Sequence, residues 1–122
     1  MNSNTKTDKI INYLINNKNF NIFNDKENIN ELIESLEPDR LDVLNIFLIK
    51  LNSQIKHDKN IKKINFTVAL SDGDINNLEL SLIFNEKNNF NQINASILKI
   101  YELKRHIDKN DMLWFINIGI KF

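Results

Sequence analysis

The side chains best suited to bind a transition metal or to move a proton are the two histidines, His57 and His106. They lie far apart in a chain without cysteine, whereas structural zinc sites use nitrogen and sulfur ligands at short spacings. The Asp72-Gly73-Asp74 segment is typical of a turn. It is not expected to bind calcium, because it lacks the fixed-length loop that ends in glutamate. We therefore expect no metal site in this chain.

Two short motifs, Pro38-Asp39 and Glu102-Leu103-Lys104, resemble the separated parts of a carboxylate–lysine nuclease signature. That chemistry needs both parts on adjacent strand ends around a Mg²⁺ ion, whereas Pro38-Asp39 predicts the start of a helix. The two glycines stand alone, so no glycine-rich phosphate loop is present, and no Gly-x-Ser-x-Gly motif occurs. We expect a protein that is not an enzyme, with no catalytic residues and no cofactor.

Acidic side chains concentrate in the segment 25–42, although the 16 basic and 16 acidic residues of the whole chain cancel. An anionic helix face would fit a cationic protein that cleaves nucleic acid, and it would raise the rate of their association. A solvated helix face is the alternative interpretation of the same pattern. The predicted partner-binding residues are Asp25, Glu27, Glu31, Glu34, Asp39 and Asp42.

The charge reverses in the next segment, where lysines recur between Lys56 and Lys63. These lysines could contact phosphates, but no aromatic residue is interleaved among them, and a solvated connection accounts for them as well. A protein partner is therefore the main expectation. A small nucleic-acid-binding or regulatory module that uses Lys56–Lys63 is an alternative.

The periodicity of apolar residues predicts three helices, at about 5–17, 27–36 and 38–56. The third is the most apolar, and Pro38 suits its first turn because proline lacks the N–H that would be unsatisfied there. Apolar residues cover more than one face of this helix, so other elements must pack on at least two of its sides. The residues of its main stripe are Leu41, Leu44, Leu48, Leu51 and Ile55.

Alternation of apolar and polar residues then predicts four strands, at about 62–71, 76–85, 93–105 and 112–122. Ser71-Asp72-Gly73-Asp74 supplies the turn between the first two. The segment 93–105 also fits a helix, and we assign it as a bulged strand because the strand 112–122 needs an antiparallel neighbour. Trp114 is expected in the core.

These elements predict one α+β domain that spans residues 1–122, with three N-terminal helices packed on a four-stranded antiparallel β-meander. The polar N-terminus and the lack of a long apolar run predict neither a signal peptide nor a membrane span. Together with the absence of cysteine, this favours the cytoplasm. A monomer is the favoured state, although Leu113 and Phe115 on an exposed strand could join a larger assembly.

In its length, its lack of cysteine, its acidic stretch Asp25 to Asp42 and its α+β order ending at Phe122, the chain resembles a family of small inhibitors. These are the cytoplasmic immunity proteins of bacterial polymorphic and contact-dependent growth-inhibition toxins. The resemblance implies stoichiometric binding that blocks a nuclease-type toxin. The alternative of the same class is a phage-encoded inhibitor of a nucleic-acid-guided defence complex.

Overall fold

The computed structural model describes residues 2–85 and 87–121, with side chains from Thr5 onward. The α+β class predicted from the sequence is confirmed: the described residues form four helices and one four-stranded sheet. In chain order the elements are α1 (Asn2–Asn16), β1 (Phe20–Asn21), α2 (Lys26–Glu34), α3 (Pro38–Lys56), β2 (Ile61–Ser71), β3 (Asp74–Phe84), α4 (Phe90–Ile107) and β4 (Ile116–Lys121).

Helix α3 lies at the centre of the fold and has the bounds predicted from the sequence, Pro38–Lys56. It packs against both α1 and α4, and Phe47 on its inner side is fully buried. The predicted stripe Leu41, Leu44, Leu48, Leu51 and Ile55 is buried as well. The outer side keeps Ile46 and Ile49 about half exposed, so α3 is covered on two flanks and open on a third.

Strands β2 and β3 form the predicted hairpin, which turns at Asp72 and Gly73. Both residues have positive φ, 54° and 84°, as a two-residue loop that follows the strand twist requires. The sheet buries one face against the helices, with Ile64, Phe66 and Leu80 almost fully covered. Its other face carries polar side chains that are partly or fully exposed, so the molecule has two layers.

The predicted strand at 93–105 is wrong, because this segment is the middle of helix α4. Ile93, Ser96 and Ile100 are its buried positions, spaced by three and four residues. A capping box begins the helix: the Asn89 side chain accepts from the Gln92 backbone N–H at 2.9 Å, and the Gln92 side chain accepts from Asn89 at 3.0 Å.

The predicted all-antiparallel meander is also wrong, because only the β2–β3 pair is antiparallel. The strand order is β1-β2-β3-β4, with β1 parallel to β2 and β4 parallel to β3. Parallel neighbours need a long crossover connection. Helix α4 supplies the crossover from β3 to β4, and for this reason the segment after β3 is helical and not a third antiparallel strand.

The last predicted strand, 112–122, begins later than expected, at Ile116, after a run of turns that contains Trp114. These turns reverse the expected pattern of burial. Trp114 is 59% exposed, whereas Leu113 and Phe115 are buried in the core. The prediction that Leu113 and Phe115 lie on an exposed strand is therefore wrong. Phe122 lies outside the described residues.

Candidate functional site

Four carboxylates at the end of the molecule where α2 and α3 meet form an exposed acidic surface, which we define as Glu27, Glu31, Glu34 and Asp39. The three glutamates recur on α2 at spacings of four and three residues and so share one face. The opposite face of α2 holds the buried side chains and packs on β2 and β3. The four carboxylates form no ion pair with any described residue.

The other two predicted partner-binding residues, Asp25 and Asp42, bond to other parts of the fold. Asp25 accepts a hydrogen bond of 2.7 Å from the backbone N–H of Val68, and a second of 2.8 Å from the side chain of Asn28. Asp42 forms an ion pair with Lys6 at 3.0 Å, the only ion pair between described residues. Asp25 therefore joins α2 to the edge of β2, and Asp42 joins α3 to α1.

A groove of about 300 Å³ lies beside the acidic surface, and we call it the Trp114 groove. Leu36 and Glu37 from the α2–α3 connection line it, together with Arg40, Ile75 and Trp114. The indole therefore stands at the edge of the acidic surface and does not fill the core. Sequence reasoning missed this position, because alternation along a strand assigned Trp114 to the buried face.

Asp108 holds the turn that exposes the indole. Its two carboxylate oxygens accept from the backbone N–H groups of Met112 and Leu113, both at 2.6 Å. The guanidinium of Arg40 donates to the carbonyl of Met112 from the other side. These bonds hold the backbone of Met112 and Leu113, the two residues directly before the exposed indole.

A second groove, of about 620 Å³, lies between α1 and α3 and has the opposite charge. We call it the basic groove and define it by Lys9 and Tyr13 of α1, Lys18, and Ile49 and Lys56 of α3. Asparagine side chains supply the rest of its wall. The sequence carries a weak signal for it, since Lys9, Tyr13 and Asn16 follow helical spacing on one face of α1.

The structure divides the Lys56–Lys63 run among separate surfaces. Lys56 lines the basic groove, whereas Lys59 lies with His57 in a shallow pocket near α4, and Lys62 lines another beside Phe84. These three lysines therefore line three different depressions of the surface.

The histidines and the two nuclease-like motifs lie on helices or directly after one. His57 follows the last residue of α3, His106 lies in the last turn of α4, and both are exposed. Pro38-Asp39 begins α3, and Glu102-Leu103-Lys104 lies within α4, so neither part is at a strand end. Within the described ranges, no three histidine, aspartate or glutamate side chains are grouped to hold a metal ion.

Comparison with known proteins gives no relative: no protein-family model matches the chain, and no curated protein and no solved structure matches it. No helix among the described residues has the length and apolar character needed to cross a membrane. The functional proposal below therefore rests on the acidic surface and on the Trp114 groove.

Proposed function

We propose that this protein is a non-enzymatic inhibitor that binds and neutralises a cationic partner protein, a toxin of the nuclease type. The observation that carries the proposal is the acidic surface, where four carboxylates are exposed and form no ion pair with another described residue; Glu34 accepts one hydrogen bond, from the side chain of Asn30. As with the immunity proteins that the chain resembles, the inhibitor acts as a monomer in the bacterial cytoplasm. A nuclease supplies the matching charge, because it must bind polyphosphate.

The placement of the carboxylates supports binding more than folding. Two of them, Glu27 and Asp39, lie in first helical turns, where a negative charge stabilises the helix by about 0.3–1 kcal/mol. Glu31 and Glu34 lie beyond the first turn of α2, where the helix gains nothing from their charge. Like charges at such spacing repel mildly in the free protein, and a cationic partner would relieve this repulsion.

The Trp114 groove supplies the apolar contact that a charged surface alone lacks. Exposed charges mainly set the association rate, whereas slow dissociation comes from aromatic anchors that become fully desolvated. Trp114 is 59% exposed, and Arg40 lies beside it in the same groove. Tryptophan and arginine are enriched among the residues that dominate binding energy in interfaces. The proposed interface therefore has a charged rim on α2 and an indole anchor next to it.

The test is a quantitative pull-down from the native host with three baits, followed by kinetics on the purified partner. The first bait is the natural protein and the second carries Glu31→Lys with Glu34→Lys. The third carries Asp74→Lys with Glu102→Lys, which changes net charge equally on other exposed positions. We expect the natural bait and the control bait each to capture one basic nuclease domain at a one-to-one ratio. The acidic-surface variant should not capture this domain.

On the purified pair, an equimolar amount of inhibitor should abolish nuclease activity. The acidic-surface variant should associate at least about tenfold more slowly at low salt, with the difference shrinking as salt screens the charges. Equal association rates for both charge variants at low salt would contradict the assignment of the surface. Capture of a nucleic-acid-guided nuclease would leave the assignment of the acidic surface intact. It would replace the toxin as the partner and support the alternative of a phage-encoded inhibitor.

A further inference from the structure

The basic groove brings together lysines from α1, from the connection that follows it and from the last turn of α3. Lys9, Lys18 and Lys56 all line it, their side chains are exposed, and no acidic side chain is among the described residues that form its wall. The chain is neutral overall, so the positive potential in the groove is local. A ligand with negative charge is attracted to this groove and not to the molecule as a whole.

The floor of the groove is polar and fixed. Asn52 is only 8% exposed there, and its Oδ1 accepts from the Nδ2 of Asn19 at 2.9 Å. Asn19 is held in turn by its backbone, which donates to Asn17 and accepts from the N–H of Ile64 in β2. The Nδ2 of Asn52 makes no hydrogen bond to another described residue and is accessible to solvent, so a free amide donor lies in the groove wall.

Each side of the groove carries one apolar group, Tyr13 on α1 and Ile49 on α3. Tyr13 is half-buried and packs edge-on against Phe20, with ring centroids 6.3 Å apart, so its ring is held in place. Ile49 is 46% exposed on the facing helix. A flat ligand group that enters between α1 and α3 would remove both from water.

We propose that the basic groove binds a phosphate-bearing nucleotide, free or within a single strand. The lysines contact phosphate as point charges, the base lies against Tyr13 and Ile49, and Asn52 Nδ2 donates to the edge of the base. The volume of about 620 Å³ is within the range of small-ligand sites, roughly 300–1,000 Å³. An acidic peptide would match the charge but carries no base to lie against Tyr13 and Ile49.

The site is independent of the proposed inhibitor surface. The acidic surface adjoins the first turn of α3, whereas Lys56 is the last residue of the same helix. The groove takes its α3 residues from the middle and the last turn of the helix, and none of the four acidic-surface residues lines it, so the two proposals rest on different side chains. Failure of either proposal therefore leaves the other standing.

Anisotropy titrations at about 50 mM salt test the proposal with two labelled probes, a single nucleoside monophosphate and a short single-stranded oligonucleotide. We expect saturable binding of at least one probe. Each of Lys9→Ala, Lys18→Ala and Lys56→Ala should weaken it by roughly two- to fivefold, and the triple variant by more than about tenfold. Tighter binding of the oligonucleotide identifies a strand as the ligand, and equal binding identifies the free nucleotide.

The matched control is the triple variant Lys59→Ala, Lys62→Ala and Lys99→Ala, which removes the same charge from exposed positions outside the groove. It should bind both probes as the natural protein does. Equal loss in the two triple variants would overturn the proposal, because only net charge would matter. Displacement of the probe by an acidic peptide at equal charge concentration would also overturn it, as would the absence of binding by both probes.

An NMR titration gives a readout that needs no substitution. The side-chain amide resonances of Asn52 should shift on addition of the nucleoside monophosphate, whereas those of Asn117 on the exposed sheet face should not. If Asn52 stays unchanged while a probe binds, the ligand lies elsewhere and the assignment is wrong.

Discussion

The acidic surface lies on α2 and the first turn of α3, whereas the basic groove lies between α1 and the middle and last turns of α3, and the two are built in different ways. The acidic surface comes from adjacent stretches of sequence on α2 and at the start of α3, and its side chains are exposed and form no ion pair with another described residue. The groove takes residues from α1, from the connection after it and from the far end of α3. Clustered charge in a sequence thus identifies a surface only when the chain stays local, as it does from α2 into α3.

The comparison also separates polar side chains that stabilise the fold from charged side chains that are free to bind a partner. In the acidic segment, Asp25 is tied to the β2 edge, whereas Glu31 is exposed. Near the groove, Asn52 is fixed by Asn19, whereas Lys9 and Lys56 are exposed. Substitution should therefore reduce stability at the fixed positions and reduce binding at the exposed ones.

The largest expected effect is that of Asp108→Ala, which removes the acceptor for two backbone N–H groups, one of them on the buried residue Leu113. The free energy of unfolding should fall by about 2–4 kcal/mol, because each unsatisfied buried donor costs about 1–3 kcal/mol. Urea unfolding followed by circular dichroism measures the loss. Lys109→Ala, in the same turn and exposed, is the control and should change the midpoint little.

The same substitution should affect the two ends of the molecule unequally. The turn that supports Trp114 should loosen and its fluorescence should change, while nucleotide binding at the basic groove should stay as in the natural protein. If nucleotide binding at the basic groove weakens in the Asp108→Ala variant, the two regions are coupled, and the claim that they are independent is wrong.

Within the acidic segment, Asp25→Ala should lower the free energy of unfolding by about 1–3 kcal/mol, because the Val68 N–H loses its charged acceptor. Glu31→Ala should change it by no more than about 0.5 kcal/mol, as is usual for an exposed side chain. Denaturant midpoints of the two variants test the contrast. Equal midpoints would show that Asp25 does not hold the sheet edge.

At the groove, Asn52→Ala should cost about 1 kcal/mol, which is the usual net value of one hydrogen bond, here the bond to Asn19. The control is Asn45→Ala in the same groove wall, whose side chain is more exposed. Thermal or urea unfolding should separate the two variants. If Asn45→Ala lowered the free energy of unfolding as much as Asn52→Ala does, the hydrogen bond between Asn19 and Asn52 would not be what holds the groove floor.

The smallest effect concerns the ion pair between Lys6 and Asp42, which lies on the outside of α1 and α3. Both side chains are well exposed, at 38% and 57%, so the pair should contribute less than about 1 kcal/mol. A double-mutant cycle with Lys6→Ala and Asp42→Ala should give this coupling at low salt and lose most of it at about 1 M ionic strength. A larger coupling that survives high salt would disprove a solvent-screened pair.

The sequence alone determined the features that depend on neighbouring residues. The bounds of α3 follow from Pro38 and from a local apolar period, and the hairpin follows from Asp72-Gly73, whose positive φ values the chain tolerates there. The acidic face of α2 follows in the same way, because residues three and four apart share a helix face whatever surrounds them.

Tertiary structure decided the features that depend on pairing between distant segments. The segment that became α4 has isoleucines that fit either period, and it is helical where β4 lies parallel to β3 and a crossover must join them. The burial of Leu113 and the exposure of Trp114 follow from the turn bound by Asp108, which no strand pattern contains.

The basic groove is the clearest case of this limit. Lys9, Lys18 and Lys56 share no spacing that a sequence pattern can detect, and they meet only because α1 packs along α3. The acidic surface is set by local helical geometry, whereas the groove is set by helix packing. For that reason helical spacing in the sequence indicates the acidic face of α2, whereas it gives only a weak signal for one side of the groove.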